Sequence, residues 1–350
     1  MPFVVSPNVA EYKGASWSNF IKTVSNTTPQ AAQRIAMADP AITFFFYCRQ
    51  YMVLEGKGTF NPGDAVFFSG TPWPGLAPQA DIYQKDFFTM GYVGVNTDAL
   101  SNVGCYTLPD GRQALDLASI FAANINVGSD GNPGLYFNPQ VQATLDSGQV
   151  AGLQALGITV LLSVLGNWQN AGWSCFTDQS VAQGFVNQLA QAVETYGLDG
   201  IDIDDEYSQC QTNLTSLAMV TTLMKQTMPG KIISKALFQD TQYFGPTWGG
   251  NTLAGNLTYG WEMTYGDPAY GQRLQPYVDA GMGKNQLAIG VSTSNCDGSS
   301  AASFIKNNGY GGVMVFTITS DSTDCLSQIS NALYGVPTGA KPNCLISPSA

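Results

Sequence analysis

No histidine occurs among the 350 residues of this chain. Without imidazole the protein cannot build a Ser-His-Asp triad, a Cys-His nucleophile pair or a zinc site with histidine ligands. Basic residues are scarce as well, with 14 lysines and arginines against 25 aspartates and glutamates. The resulting net charge of −11 repels nucleic-acid phosphates and anionic membrane surfaces, so neither is an expected partner. Carboxylates remain to carry proton transfer.

Long apolar runs are also missing. The longest, such as residues 158–165, have the length of a strand and fall far below the ~20 residues that a membrane helix needs. Residues 1–5 lack the basic start, apolar stretch and cleavage site of a signal peptide. Acceptor triplets for N-glycosylation at Asn26, Asn213 and Asn256, with a charged content of only 11%, nevertheless favour a secreted protein whose leader has been removed over a cytosolic one.

What the sequence does contain is a regular succession of short, β-branched apolar runs from Thr89 onward. Helical or loop segments separate the runs, and this alternation is typical of βα units around a parallel sheet. Eight runs within about 260 residues match the size of a (β/α)8 TIM barrel, an α/β fold whose active site lies at the carboxyl ends of its strands. The runs are 89–95, 115–125, 158–165, 200–206, 232–238, 257–263, 287–291 and 312–318.

Apolar residues at helical spacing predict helices at 180–196 and 214–228. Segment 239–256 is rich in Gly, Asn and Thr and predicts a loop, so the helix ring is expected to be incomplete between strands five and six. Residues 1–88 break the rhythm with aromatic runs and a hairpin-like Glu55-Gly56-Lys57-Gly58. We interpret them as a β-rich extension that packs against a catalytic barrel at 89–350. A sugar-binding module and an oligomer contact are the alternatives.

The seven cysteines lie far apart and include no CxxC pair. This spacing predicts scattered disulfides or buried thiols rather than a metal site, and neither a metal nor a cofactor is expected. Because seven is odd, at least one cysteine has no partner within the chain. Cys175 follows predicted strand three and Cys210 follows strand four, so a disulfide between these neighbouring loops is a hypothesis.

The segment Asp199-Gly200-Ile201-Asp202-Ile203-Asp204-Asp205-Glu206 forms the predicted fourth strand. Alternate residues share a face, so Asp202, Asp204 and Glu206 point one way while the intervening isoleucines face the helices. Three inward carboxylates carry a large desolvation and repulsion penalty if all are ionised, so at least one retains a proton. This arrangement favours a general acid, with Glu206 nearest to substrate. A solvated loop would not alternate with isoleucine, and a calcium loop would need turn-positioned oxygen ligands.

The pattern D-G-x-D-x-D-x-E resembles the signature of glycoside hydrolase family 18, the chitinases and related endo-β-N-acetylglucosaminidases. Four further segments, 102–108, 120–126, 160–167 and 196–207, are similar to the endoglycosidase H-like members of that family. The resemblance covers residues 89 to roughly 335. It does not extend to residues 1–88.

The resemblance implies substrate-assisted catalysis without a protein nucleophile. Glu206 would protonate the glycosidic oxygen while the sugar's own acetamido carbonyl attacks the anomeric carbon. Asp204 would hold the acetamido N–H and stabilise the cyclic oxazolinium cation, with Asp202 sharing a proton or hydrogen bond behind it. Tyr265 falls where relatives place a tyrosine that hydrogen-bonds the acetamido oxygen, and an ordinary buried aromatic is the alternative.

Five aromatic residues are candidates for binding the sugar. Phe121 and Phe316 lie on strands two and eight, Trp261 lies on strand six, and Trp168 and Trp173 lie in the loop after strand three. Packing in the core or anchoring of the loop is the alternative for each. The family usually has a tryptophan or tyrosine floor on strand eight, and Phe316 departs from that pattern.

The resemblance implies hydrolysis of the β-1,4 bond within the N,N'-diacetylchitobiose core of N-glycans, with high-mannose or hybrid glycans favoured. A chitinase that acts on chitin oligomers would use the same chemistry and is the nearest alternative. A catalytically inactive sugar-binding barrel is the alternative from another class, and the retention of Glu206, Asp204 and Asp202 argues against it. N-linked glycans or glycoproteins are the expected partners of a protein that we expect to be a monomer.

Overall fold

A closed barrel of eight parallel strands forms the centre of the computed structural model, which describes residues 3–11 and 14–346. Adjacent strands pair in chain order, and the first also pairs with the eighth. All eight predicted runs are strands, with boundaries within three residues of the prediction. They are β1 (Phe88–Gly94), β2 (Leu117–Val127), β3 (Thr159–Gly166), β4 (Gly200–Ile203), β5 (Ile232–Leu237), β6 (Tyr259–Glu262), β7 (Leu287–Ser292) and β8 (Gly312–Phe316).

Helices cover most of the outside of this barrel. They are α1 (Pro139–Asp146), α2 (Gln149–Ala155), α3 (Gln179–Thr195), α4 (Ser216–Thr227), α5 (Leu253–Asn256), α6 (Tyr270–Asp279), α7 (Gly298–Asn308) and α8 (Thr323–Tyr334). The helices predicted at 180–196 and 214–228 are confirmed as α3 and α4. The predicted gap between β5 and β6 is also confirmed, because α5 spans only four residues. A 3-10 turn, Leu100–Cys105, takes the place of an α-helix between β1 and β2, which the sequence pattern did not predict.

Helix α3 shows how local sequence sets these elements. The Asp178 carboxylate accepts hydrogen bonds from the N–H groups of Ser180 and Val181 and so caps the amino end. Gly197, with φ of +65°, follows the carboxyl end in the left-handed conformation that glycine tolerates. The helix buries Phe185 and other apolar residues in the core that lies between the barrel and its helices.

Alternate residues of the barrel strands serve two different cores. Ile201 and Ile203 of β4 point outward into the core shared with the helices. Met90, Leu161 and Met314 belong to a second core, which fills the interior of the barrel. The period-two pattern of the sequence therefore separates the two cores.

The described residues before β1 include a five-stranded antiparallel sheet and the α-helix Pro29–Met37. Along the sheet the strands are Phe3–Glu11, Pro74–Lys85, Phe44–Cys48, Ala65–Phe68 and Phe20–Val24. A separate hairpin pairs Met52–Leu54 with Gly58–Phe60, which confirms the turn predicted at Glu55 to Gly58.

This amino-terminal unit packs on the end of the barrel where the strands begin. Met37 of its helix shares an apolar cluster with Phe88, the first residue of β1. The hydroxyl of Tyr259, the first residue of β6, donates to the Met37 carbonyl at 2.6 Å. Arg34 forms an ion pair at 3.4 Å with Asp199, which directly precedes β4. The unit therefore lies opposite the carboxyl ends of the strands.

Three disulfides connect segments that are distant in sequence. They join Cys105 to Cys344, Cys175 to Cys210 and Cys296 to Cys325. The disulfide predicted between the loops after β3 and β4 is thus confirmed. Cys48 is a buried free thiol in the amino-terminal sheet, as the odd cysteine count requires.

No helix within residues 3–11 and 14–346 combines the length and apolarity needed to cross a membrane. Met1 and Pro2 belong to the segment on which the prediction of a removed leader depends, and they lie outside the described residues.

Candidate active site

A pocket of about 380 Å³ opens at the carboxyl ends of the barrel strands. Five of the predicted site residues line it together, namely Glu206, Asp204, Tyr265, Phe121 and Phe316. The other lining residues are Tyr92, Leu165, Tyr207, Ala236, Phe238 and Met263. The pocket thus combines carboxyl groups from the β4 segment with aromatic walls from other strands.

The acidic segment leaves the sheet earlier than predicted, since β4 ends at Ile203 rather than at Glu206. Its backbone nevertheless stays beside β3. The Asp204 N–H donates to the Val164 carbonyl at 3.1 Å, and the Gly166 N–H donates to the Glu206 carbonyl at 3.0 Å. A Cβ atom at Gly166 would lie 2.5 Å from that Glu206 oxygen, so this close approach requires glycine. Asp204 and Glu206 therefore both reach the pocket.

Asp202 lies below the pocket and is fully buried. Its carboxylate accepts three hydrogen bonds, from the Tyr92 hydroxyl at 2.8 Å, the Ser234 hydroxyl at 2.6 Å and the Trp261 indole N–H at 2.8 Å. Burial raises the pKa of Asp202, and these hydrogen bonds oppose that rise. Asp202 is thus held in one orientation from three strands.

Asp204 has a different environment, although only 4% of its surface is exposed. Its Oδ1 atom is buried and accepts no hydrogen bond from any described residue. Burial, followed by repulsion from Glu206 and Asp202, raises the pKa of Asp204 to about 8, while Lys235 opposes the rise. Asp204 therefore combines a perturbed pKa with an unused acceptor at the pocket wall.

Glu206 is half-buried at the side of the pocket. Burial raises its pKa, Lys235 lowers it, and Asp205 raises it. The Asp205 carboxylate accepts hydrogen bonds from the backbone N–H and the hydroxyl of Ser174, at 3.2 Å and 3.1 Å. Asp205 thus anchors the loop after β3, whereas Glu206 remains available to a bound sugar.

Lys235 was not predicted as part of the site. It lies on β5 and is 2% exposed, and its Nζ atom forms an ion pair with Oδ2 of Asp240 at 2.5 Å. Both residues line a second cavity of about 330 Å³ that adjoins the first at Glu206. A lysine beside Ser234 inside the mainly apolar run 232–238 is the sequence signal that identifies it.

The aromatic walls of the pocket contact one another. The Phe316 ring lies 5.3 Å from Phe121, 5.9 Å from Tyr92 and 5.9 Å from Tyr265, measured between centroids. Tyr265 is 37% exposed, which leaves it accessible from the pocket. Burial and the nearby Asp204 raise the pKa of its hydroxyl, so Tyr265 stays a neutral hydrogen-bond donor.

Of the three predicted tryptophans, only Trp168 is exposed. Its side chain is 64% accessible, and its ring centroid lies 5.1 Å from the ring centroid of Tyr207 beside the pocket. Trp173 is fully buried and donates its indole N–H to the Val164 carbonyl at 2.7 Å. Trp261 is also fully buried and donates to Asp202. The prediction that Trp173 and Trp261 bind the sugar is therefore wrong, since one anchors its loop and the other supports an acid.

The substitution Asp204→Asn is expected to stabilise the protein, increasingly so as pH rises. The pKa of Asp204 is about 8 in the folded protein against an ordinary 3.8, so the folded state holds a proton that the unfolded chain releases. The stability from this proton is complete below about pH 4 and is lost as pH rises through about 8. Asparagine has no such proton to lose.

Urea unfolding of both proteins at several pH values between about 4 and 8 measures this effect. The difference in the free energy of unfolding should grow with pH across the window. A difference that does not change with pH would contradict the raised pKa of Asp204.

Comparisons with known proteins point in one direction. No protein-family model matches the chain. An endo-β-N-acetylglucosaminidase from Flavobacterium sp. (strain SK1022) is 39% identical over 302 residues, covering 79% of this chain and 92% of that protein. Endo-β-N-acetylglucosaminidase F1 from Elizabethkingia meningoseptica is 28% identical over 264 residues, covering 69% of this chain and 76% of that protein.

Solved structures share the fold. Bacteroides thetaiotamicron EndoBT-3987 in complex with Man9GlcNAc2Asn has a TM-score of 0.63 at 21% identity, covering 91% of this chain and 88% of that one. Chitinase catalytic domain 2 from Ostrinia furnacalis has a TM-score of 0.52 at 14% identity, covering 74% of this chain and 99% of that one. The EndoBT-3987 match covers too much of this chain to be confined to the barrel. Because the Flavobacterium relative aligns over most of both sequences, this chain belongs to the endo-β-N-acetylglucosaminidases of glycoside hydrolase family 18.

Proposed function

We propose that this glycosidase hydrolyses the β-1,4 bond between the two core N-acetylglucosamines of N-glycans, with Glu206 as the general acid. The observation that carries the proposal is the Oδ1 atom of Asp204, which is buried and has no donor among the described residues, on a side chain that lines the pocket beside Glu206. Buried acceptors are normally hydrogen-bonded. The N–H of a sugar acetamido group would supply the missing donor.

In the first step, Glu206 donates its proton to the glycosidic oxygen as the bond from that oxygen to C1 breaks. The acetamido carbonyl oxygen of the same sugar bonds to C1 from the opposite face and forms an oxazolinium ring. The raised pKa of Glu206 keeps more of it protonated towards neutral pH. The positive charge on the ring favours the ionised form of Asp204, which in turn stabilises that charge.

Tyr265 and Asp202 position these groups. The Tyr265 hydroxyl donates to the acetamido oxygen and directs it at C1. Asp202 is fixed by its three donors, and its nearby charge helps to raise the pKa of Asp204. In the second step, water attacks C1, opens the ring and gives a proton to the Glu206 carboxylate. Two attacks on opposite faces retain the β configuration.

The leaving sugar binds in the second cavity. Since Glu206 must touch the glycosidic oxygen, the two sugars lie on either side of its carboxyl group. One side is the pocket that contains Asp204 and Tyr265, and the other is the cavity that contains Lys235 and Asp240. Charged and polar side chains there suit the hydroxyl groups of a sugar that remains attached to protein.

The relatives favour an N-glycan over chitin. The Flavobacterium and Elizabethkingia proteins are named endo-β-N-acetylglucosaminidases, and EndoBT-3987 was crystallised with Man9GlcNAc2Asn, a high-mannose glycan on asparagine. Among the described residues that line the pocket, aromatic side chains are gathered around one sugar position, with Trp168 and Tyr207 at its side. High-mannose and hybrid glycans are the proposed substrates.

Incubation with a high-mannose glycoprotein, a complex-type glycoprotein and a chitin oligomer tests this function. We expect release of the high-mannose glycan with one N-acetylglucosamine left on the protein, and the first-formed sugar should be the β-anomer by NMR. Cleavage of the chitin oligomer alone would identify a chitinase instead. Binding without cleavage of any of the three would identify a sugar-binding barrel.

We propose further that residues 1–88 act as a structural cap and residues 89–350 as the catalytic barrel. Phe45 and Phe67 of the amino-terminal sheet, together with Met37, belong to the same apolar cluster as the barrel interior. Without the cap, apolar residues such as Phe88 would meet water, at a cost of roughly 25 cal/mol per Å² exposed. The cap lies at the end of the barrel opposite Glu206, so its contribution is to stability.

The substitution Met37→Ala is expected to lower the free energy of unfolding by about 2–5 kcal/mol, because it leaves a cavity between cap and barrel. Met37 is 2% exposed. Urea unfolding measures the loss, and kcat on the glycan should be unchanged below the transition. A separate early transition, with the barrel unfolding as in the wild type, would show instead that the extension is an independent module.

A further inference from the structure

A buried ion pair lies behind the loop that carries Tyr265. Glu262, the last residue of β6, is 2% exposed, and Arg273 on α6 is 8% exposed. Arg273 donates from Nε and pairs through Nη2 to the same carboxylate oxygen of Glu262. Neither side chain lines the pocket or the cavity beside Glu206. Arg273 and Glu262 therefore have no direct contact with a sugar in either space.

This pair holds both ends of the loop. At the near end, the second oxygen of Glu262 accepts hydrogen bonds from the Thr264 hydroxyl at 2.5 Å and the Thr264 backbone N–H at 3.1 Å. At the far end, the Nη1 group of Arg273 donates to the Asp267 carbonyl at 2.6 Å. Tyr265 lies between these two attachments. A single buried pair thus fixes the loop at Thr264 and at Asp267, on either side of Tyr265.

The neighbouring strand limits the loop from the other side. A Cβ atom at Gly290 of β7 would lie 2.5 Å from the Glu262 carbonyl oxygen and 3.0 Å from the Tyr265 ring. The Tyr265 ring therefore rests against the Gly290 backbone, while Arg273 also reaches the Gly290 carbonyl at 3.5 Å. Strand β7 thus limits the position of the ring on one side, and Arg273 contacts that same strand.

We propose that Glu262 and Arg273 are positioning residues, which hold the Tyr265 hydroxyl where it meets the acetamido oxygen of the reacting sugar. The proposal rests on the function proposed for Tyr265. The planar guanidinium suits this task because it donates to the carboxylate and to the Asp267 carbonyl in fixed directions. Lysine keeps the charge but cannot hold both partners in that geometry.

The substitution Arg273→Lys is expected to lower kcat by about 10- to 100-fold with little change in KM, since small displacements near a reacting atom have effects of that size. A thiazoline analogue of the cyclised sugar, which resembles the oxazolinium, should bind the variant more weakly by a similar factor. Glu262→Gln, which keeps the shape of the side chain, should act in the same direction.

A double-mutant cycle separates positioning from general stability. In a Tyr265→Phe background the hydroxyl is already absent, so adding Arg273→Lys should lower kcat by less than about threefold. Arg34→Lys makes the same substitution in the Arg34–Asp199 ion pair at the other end of the barrel and serves as the matched control. It should lower the unfolding temperature with kcat unchanged.

Two results would overturn the inference. One is an equal loss of kcat from Arg273→Lys in the wild-type and Tyr265→Phe backgrounds. The other is unchanged affinity of Arg273→Lys for the thiazoline. Failure of the proposed function looks different, because full activity in Tyr265→Phe or Glu206→Gln alone would already contradict it, whatever Arg273→Lys does.

Discussion

The substitution Glu206→Gln is expected to lower kcat on a high-mannose glycoprotein by about 10³-fold, within the range that loss of a general acid produces. Glutamine keeps the size of the side chain and its place beside the pocket but has no acidic proton to give to the leaving oxygen. Burial raises the pKa of Glu206, and the wild type should therefore lose activity as this carboxyl ionises with rising pH. That ionisation should be missing from the residual activity of the variant.

The role of the proton can be tested separately from binding. An aryl glycoside with an acidic phenol as leaving group needs little protonation, so the deficit of Glu206→Gln should shrink roughly tenfold or more on that substrate. Glu194→Gln, which makes the same change at an exposed position of α3, is the matched control and should be fully active. An equal deficit on both substrates would argue that Glu206 binds the sugar but does not protonate it.

The substitution Asp204→Asn should be nearly as damaging, with kcat lowered by about 10²- to 10³-fold, the usual effect of removing one group that stabilises charge in the transition state. Asparagine fits the same space but cannot supply negative charge as the oxazolinium forms. The loss should appear in kcat and in binding of the thiazoline analogue, with a smaller effect on KM. Asp279→Asn, an exposed change on α6, should have no effect.

This variant is informative because its two expected effects have opposite signs. The raised pKa of Asp204, about 8, makes the wild-type residue a source of instability at neutral pH, so the inactive variant should be the more stable protein. Misfolding cannot explain the lower activity of a variant that unfolds at a higher urea concentration than the wild type. Reduced stability together with reduced activity would contradict the proposed role and assign Asp204 to the core instead.

Local patterns in the sequence determined much of this protein. The eight apolar runs predicted the barrel strands, because alternation and β-branching are properties of each segment alone. The alternation in 202–206 placed Asp204 and Glu206 in one pocket even though β4 ends at Ile203. The lack of histidine leaves proton transfer to carboxylates whatever the geometry of the fold.

Only the tertiary structure decided which aromatic residues meet the sugar. Trp168 and Trp173 share one loop, yet one is exposed and the other is buried against Phe185 of α3. Whether a side chain is buried depends on which segments cover it, and those segments are distant in sequence. The same reason explains why Trp261 supports Asp202 rather than a substrate.

The partners of the buried charges could not be predicted from the sequence either. Lys235 with Asp240, and Glu262 with Arg273, combine residues from a strand and a later loop or helix, at spacings that no local periodicity marks. The packing of Met37 and its neighbours against the start of β1 joins two parts of the chain with different patterns. The sequence by itself determined the strands and the acids, whereas long-range contacts decided their surroundings, because burial and ion pairing depend on residues brought together only by folding.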